Sequence, residues 1–492
     1  MTTTDTAVPI VDLPPDAFRA LGHDAIDLIT QFFADINEVA PFPARTPADV
    51  CALFDLPLPM AGEDPHAILA DWSTKILPNS SVLGSPRWFG FVNGSGNQIG
   101  AIADALASAL NPNLGGWKAS PAATEIERRT IAWLCEMIGY ARDAGGLFLS
   151  GGTMANMAAL RTALQNKATW DVATDGLQAS DRRVMTIYMA DHETHVSFQG
   201  AVDFLGLGQR AMRKVPSNSD FTIDVAALEA MLDADIAAGM TPFCIVGHGG
   251  SINVGALDDF EALADVAARR HLWLHVDGAC GALGAILPEL AEHYRGMDRA
   301  DSVSFDAHKW LGTPYEAACL LVRNPDMLKQ AFVTHATYLL SSTPSEYTGL
   351  NYFDYGPQLS RGWRALKVWM SLRLYGMDGY REIFRRTIAC AKHLHMLVVA
   401  SDDFEVVQPE PELYIYSFRY APVALRHDDA ALDLLNQRIA DELLQRQIAF
   451  AMTTRIRGRV TQRMSICSHR TTIRDIDETF EAMRKLGAEL SA

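Results

Sequence analysis

Leu272-Trp273-Leu274-His275-Val276-Asp277-Gly278-Ala279 is the stretch on which the fold turns. Its mostly apolar opening has the length and composition of a strand buried on both faces, which belongs in a parallel sheet covered by helices. Asp277 then emerges at the strand's C-terminal end, the rim of an open α/β sheet where ligands bind. A second run, Asp301-Ser302-Val303-Ser304-Phe305, reads as another strand and delivers Asp306-Ala307-His308-Lys309-Trp310 just beyond its end. Asp277 and Lys309 are therefore expected on the same rim. Further out, Leu257 to Arg270 places Leu257, Phe260, Ala264 and Ala267 on one helical face, and residues 184–189 and 243–246 read as strands. Strands alternating with helices from about residue 86 to 375 predict a doubly wound, mostly parallel α/β domain.

A third segment bears on the same rim. Gly145-Gly146-Leu147-Phe148-Leu149 reads as a strand, Ser150-Gly151-Gly152-Thr153 as a tight turn, and Met154 to about Lys167 as a helix rich in Ala, Met and Leu. Glycines let the backbone approach a ligand, and the free N–H groups of a first helical turn favour a dianion. A plain Ser or Thr N-cap has the same appearance, and Lys309 alone would pass for a solvated side chain. Taken together, an amine that can form a Schiff base, a carboxylate that can pair with a pyridinium nitrogen and an anion cradle are what pyridoxal 5'-phosphate requires. Asp191-His192-Glu193-Thr194-His195-Val196-Ser197 adds two imidazoles. Either suits a helix N-terminus, or a position stacked on a cofactor ring.

These segments resemble the pyridoxal-dependent decarboxylase family, the group II amino-acid decarboxylases that include aromatic L-amino-acid, glutamate and cysteine sulfinate decarboxylases. The likeness runs from about Pro86 to Arg373. It rests on Trp117-Lys118-Ala119-Ser120-Pro121-Ala122-Ala123-Thr124-Glu125, Gly151-Gly152-Thr153, Glu193-Thr194-His195-Val196-Ser197, His275-Val276-Asp277-Gly278-Ala279 and Asp306-Ala307-His308-Lys309-Trp310. The resemblance implies a large domain of PLP-dependent fold type I, like that of aspartate aminotransferase. It implies Lys309 as the covalent holder of the cofactor, Asp277 on the pyridine nitrogen, His195 stacked on the ring, Ala279 on its other face, and Gly152 and Thr153 on the phosphate. His308 would contact cofactor or substrate carboxylate, and Ser251 is a candidate cofactor contact. Tyr352 aligns with a mobile-loop tyrosine that protonates the carbanion, with Tyr338, Tyr347 and Tyr355 nearby. Residues 333–355 have the composition of a lid. The resemblance also implies a homodimer in which Leu359 and Ser360 reach the partner's site.

The implied reaction is decarboxylation of an L-amino acid to a primary amine and carbon dioxide. Trp88, Phe91, Asn93 and Trp117 are the candidate substrate pocket. They make an aromatic amino acid the first choice, although buried aromatics are also ordinary core material, and Asn93 and Ser95 either bind a polar group or cap a turn. Alternatives are an aldehyde-forming oxidative relative, a glutamate- or sulfinate-type decarboxylase, an aminotransferase, and a silent scaffold on the same fold. Asp306 stands where several relatives carry Asn. A carboxylate there repels a dianion unless it turns away or is hydrogen-bonded elsewhere, and it is given no role.

Composition bounds the rest. The chain has 492 residues, 49% of them hydrophobic, enough for more than one core. A net charge of -17 argues against nucleic acid as a partner. No apolar run is long enough for a membrane span. The opening Met-Thr-Thr-Thr-Asp-Thr lacks the look of a secretory signal. Seven scattered cysteines without CxxC spacing suggest reduced thiols, no metal framework and a cytoplasmic setting. Residues 1–85 are expected to form an N-terminal helical arm, with a helix from Asp16 to about Asn37 and a Pro-rich stretch at 40–59. Residues 86–375 form the large domain. Residues 376–492 form a small α+β domain, with a helix at 432–446, a strand at 460–466 and a closing helix at 476–490.

Overall fold

A computed structural model describes residues 12–178, 184–191, 193–333 and 349–491. Its largest sheet contains β1 (Gly145–Leu149), β2 (Met185–Ala190), β3 (Met212–Val215), β4 (Thr241–His248), β5 (Trp273–Asp277), β6 (Ser302–Asp306) and β7 (Ala318–Val322). The order is β1-β7-β6-β5-β4-β2-β3, and β7 alone runs against its neighbours. Every residue of β2, β5, β6 and β7 is buried, as expected for strands covered on both faces.

Register positions the chemistry. His248 pairs with Asp277 and Asp277 with Ser304, while His275 pairs with Ser302. Side chains two apart on a strand, and partners across a parallel ladder, share a face. One face of the sheet therefore carries His248, His275, Asp277, Ser302, Ser304 and Asp306. The helix Gly152–Lys167 packs on β4 to β7 over this face and brings Asn156 into it.

The second sheet, β8 (Phe404–Val406), β9 (Ile415–Tyr420), β10 (Met452–Ile456) and β11 (Arg459–Ser465), is antiparallel in the order β10-β11-β9-β8. Helices Asp429–Gln445 and Ile473–Ser491 cover it, with Leu435, Ile439, Met464 and Phe480 in a shared core. Phe89 belongs to that core although it lies far upstream. Its N–H donates to the Phe450 carbonyl at 2.7 Å, and its own carbonyl accepts from the Ser465 N–H at 2.9 Å. The two units are joined by the long helix Ala365–Val399, whose helical backbone is broken at Gly376 (φ 60°).

Several helix starts differ from the sequence reading, and two of them have a clear local cause. Asp428 accepts from the Ala431 N–H, so the helix there begins at Asp429 rather than 432. Asp259 caps in the same way, so Leu257 precedes its helix instead of lying on its face. The N-terminal helices Pro15–Asp35, Pro47–Phe54 and Pro65–Asp71 bury no residue, and Phe18, Leu58 and Met60 stand exposed. Among the described residues no helix is long and apolar enough to cross a membrane.

Candidate active site

Gly152, Thr153, His195, Asp277, Ala279 and Lys309 line one cavity of about 420 Å³ at the C-terminal rim of the large sheet, together with Phe91 and Asn93. Each arrives by a local cause. Asp277 ends β5, and Lys309 follows β6 by three residues. Gly152 opens a helix whose N-cap, Gly151, has no side chain with which to occupy the first-turn N–H groups. A Cβ on Gly152 would come within 2.9 Å of the Asp306 carboxylate, so the close approach requires glycine.

Asp277 is held from behind. Its Oδ2 accepts from Asn156 Nδ2 at 3.1 Å, and its Oδ1 accepts from the Ala279 N–H at 3.2 Å. Burial pushes the carboxyl up, but His275, His248, His195 and Lys309 more than offset it, and the group sits below its ordinary range. His275 is itself pulled down to about 4 by burial, so it acts as a neutral hydrogen-bonding ring. His248 differs. Burial pulls it down, but Asp258 beside its Nδ1 at 3.3 Å prevails and raises it, which favours a positive charge behind Asp277.

Burial also lowers His195, so it is neutral near pH 7. Its Nδ1 accepts from the Ser197 N–H at 3.1 Å, which leaves the proton on Nε2. Lys309 Nζ lies 3.0 Å from Asp306 Oδ2. Burial alone would lower the amine, but Cys280, Asp306 and Asp277 outweigh it and raise it above its usual value. The residue without an assigned role is thus a partner of the lysine, and the same carboxylate also abuts Gly152 at the start of the helix. The described residues fit pyridoxal phosphate on three counts. A buried, ionised Asp277 suits a protonated ring nitrogen, uncapped helix N–H groups suit a dianion, and the buried His248 Nε2 and Arg463 Nε are left without hydrogen-bond partners on the cavity's edge.

Five expected residues are not brought to this cavity. Tyr352 is buried in the core with the Arg361 guanidinium 4.6 Å over its ring, and burial pushes its hydroxyl far above the normal value, so the loop proton-donor assignment is corrected. Arg361 is fixed there by Glu127, the Leu114 carbonyl and the Phe148 carbonyl. Trp117 packs against Gly349 and receives the Asn351 side chain on its N–H, away from Lys309. Trp88 lies behind the wall, 4.4 Å from the Phe450 ring. His308 points at the Ala317 N–H and the Tyr315 ring. Ser251 accepts from the Ala256 N–H and supports the loop that holds Glu193. His192, Tyr338, Tyr347 and most of the expected lid lie outside the described residues.

The cavity also contains residues the sequence reading passed over: Asn156, Glu193, His248, Tyr315, Met452 and Arg463. Asn156 had a signal, since it stands one helical turn from Gly152 and shares its face. Met452 and Arg463 come from the second sheet and had none. Arg463 donates to the Ile252 carbonyl at 3.2 Å and the Gly90 carbonyl at 2.6 Å, and so ties the wall at 90–93 to the small unit. Gly94 completes the wall. Its N–H donates to the His308 carbonyl at 3.0 Å, and a Cβ there would collide with the carbonyls of His308 and Lys309.

The architecture and the paired carboxylate and lysine define a pyridoxal phosphate enzyme of fold type I. Comparison with known proteins narrows the class. The sequence matches the pyridoxal-dependent decarboxylase conserved domain over residues 47–421. Aromatic-L-amino-acid decarboxylase of Bacillus atrophaeus is 31% identical, with 98% of this chain and 98% of the relative covered. Tryptophan decarboxylase 1 of Oryza sativa subsp. japonica is 29% identical (97% and 95%), and phenylacetaldehyde synthase of Petunia hybrida 27% (96% and 94%). The crystal structure of Oryza sativa TDC with PLP and tryptamine superposes with a TM-score of 0.90 at 27% identity, covering 97% of this chain and 99% of that one. The chain belongs to the pyridoxal-dependent decarboxylase family. It is a pyridoxal-phosphate-dependent amino-acid decarboxylase, a carboxy-lyase.

Proposed function

We propose that this enzyme decarboxylates an aromatic L-amino acid to its primary amine, as a cytoplasmic homodimer. The observation that carries the substrate class is the charge on the cavity wall. Among the described lining residues, Lys309 and Arg463 are the only Lys or Arg side chains, and Phe91, Val92, Ile252, Met452 and Tyr315 make up much of the rest. One arginine accounts for the α-carboxylate that every amino acid has. A glutamate- or sulfinate-type substrate would need a second cation for its side chain, whereas an aromatic ring suits this wall.

Bound pyridoxal phosphate supplies the electron sink that accepts the pair left when the bond from Cα to the carboxylate breaks. The protein's residues do the rest. Asp277, backed by His248, keeps a negative charge beside the ring nitrogen so that its proton stays in place. His195 and Ala279 line the cavity and would hold the two faces of the ring. Arg463 draws the substrate carboxylate in, yet Nη1 and Nη2 are already engaged by backbone carbonyls. A fully engaged anchor would stabilise the carboxylate's charge and oppose its loss as neutral carbon dioxide. Lys309 would hold the cofactor through its amine, and with Nζ 3.0 Å from Asp306 Oδ2 it can hold or deliver a proton when that amine is free.

Support for the dimer comes from apolar side chains left uncovered in the N-terminal segment, Phe18 on its first helix and Leu58 and Met60 in the stretch between the second and third. Leu359 and Ser360 are exposed, and the Leu359 carbonyl lies close to Gly115, two residues before Trp117. In the dimer these residues serve the partner's site. Free cysteines, six of them buried, suit a reducing compartment.

The test is to incubate the loaded enzyme with a panel of amino acids and to measure carbon dioxide, amine, aldehyde and peroxide together. Equimolar carbon dioxide and amine from aromatic substrates is the expected result. Aldehyde with peroxide, or turnover confined to acidic amino acids, would contradict it. Sedimentation velocity should show a dimer at assay concentration; a fully active monomer would refute that part.

A further inference from the structure

The wall facing Lys309 carries a hydrogen-bond chain whose direction is fixed at one end. Trp88 Nε1–H, which can only donate, reaches Asn93 Oδ1 at 3.3 Å. That contact settles which end of the Asn93 amide faces the indole, and it leaves Nδ2 to donate to the Tyr315 hydroxyl oxygen. Tyr315 Oη is thus an acceptor in this pair, and its own O–H has no acceptor among the described residues. Asn93 and Tyr315 both line the cavity that contains Lys309. The phenol ring is held by His308 at a centroid distance of 4.3 Å, and His308 is pinned in turn by the Ala317 N–H at 3.1 Å. Burial raises the phenol above its usual value, so the proton stays on at neutral pH.

We infer that Tyr315 is a specificity-determining residue, its O–H aimed by Trp88 and Asn93 to donate to an oxygen on the substrate side chain, so that hydroxylated aromatic L-amino acids are preferred over unsubstituted ones. This rests on the aromatic reading above and narrows it. A phenolic substrate oxygen can accept that hydrogen bond. An unsubstituted ring would bury the Tyr315 donor without a partner, and sites built around such a donor discriminate against ligands that lack the acceptor. Arg463 already provides for the α-carboxylate, which leaves Tyr315 for the side chain.

Steady-state kinetics with L-tyrosine and L-phenylalanine, and calorimetric affinities for tyramine and phenethylamine, test this on the cofactor-loaded enzyme. The wild type should favour the hydroxylated member of each pair by roughly tenfold in kcat/KM and in Kd. Tyr315→Phe should bring both ratios to within about threefold of unity. Asn93→Ala, which removes the group that aims the phenol, should fall between the two. The visible absorbance of bound cofactor verifies that each variant is folded and loaded, and the wild-type ratios with Asn93→Ala decide the matter should Tyr315→Phe fail to load. A wild type without the preference, or a loaded Tyr315→Phe that keeps it, overturns the inference and leaves the aromatic reading standing. Turnover confined to non-aromatic amino acids overturns both.

Discussion

The cofactor end of the cavity and its substrate end are built in opposite ways. Behind Asp277 the polar side chains are joined in one hydrogen-bond network. Asn156 Nδ2 donates to Asp277 and to Ser197, while its Oδ1 accepts from Ser304 at 2.8 Å and meets His275 Nε2 at 3.1 Å. His275 Nδ1 meets Ser302 Oγ at 2.9 Å, and that oxygen accepts from the Trp273 indole at 2.8 Å. All of these groups are buried. The opposite wall is assembled from residues 91–93, 252, 315, 452 and 463, and Phe91 is 51% exposed. A closed network in a low-dielectric site tolerates no loss of a member, whereas a half-exposed wall can change its side chains at small cost. The chemistry is thus fixed at one end, and selectivity is free to vary at the other.

The comparison is open to attack in descending order of effect. Lys309→Ala should lower turnover by on the order of a thousandfold or more, because the proposed covalent holder and proton carrier are one residue. Steady-state release of carbon dioxide measures this. Asp277→Asn should cost roughly a hundredfold in kcat by removing the charge beside the ring nitrogen, with weaker cofactor retention seen on dialysis.

Acid should attack the fold through buried histidines. Burial depresses His275 to about 4, and burial with Arg470 and Arg386 nearby depresses His469 to about 3, against an ordinary value of 6.5. Between those values the unfolded chain binds protons that the folded chain refuses. Stability is therefore full above about pH 6.5 and falls as the pH drops toward 4 and then 3, by up to about 8 kcal/mol if both histidines act in full. Urea midpoints across that window check the sign, and a flat profile would refute it. Asn156→Ala should destabilise by about 2 kcal/mol by leaving several buried polar groups unpaired. Phe91→Ala, at the other end, should change stability by under about 0.5 kcal/mol and show itself in KM. If the two variants cost the same on denaturation, the contrast between the ends fails.

The cofactor end was legible because each of its parts is a strand end with its own local signal. Asp277 ends an apolar run, Lys309 follows another, and Gly152 starts a helix after a third. The substrate wall was not, because its members are brought together by contacts that no local pattern encodes, such as Arg463 reaching Gly90. Tyr352 shows the limit of spacing as a guide. A tyrosine beside a polar, glycine-containing stretch reads as a loop residue, yet the buried pairing of Arg361 with Glu127 seats it in the core. Trp88 and Trp117 failed for a related reason, since an aromatic near a site packs behind the wall as readily as it faces the ligand. The polar face of β4 to β6 was half visible, because a histidine inside an apolar strand marks a buried hydrogen bond without naming its partner.

The account depends on Lys309 being the residue that holds the cofactor. Borohydride treatment of the loaded enzyme, followed by proteolysis and mass spectrometry, tests this directly. It should place a phosphopyridoxyl group on the peptide containing Lys309 and leave other lysines, Lys118 and Lys367 among them, unlabelled. A label on a different lysine, or none on an enzyme that still turns over, would contradict it.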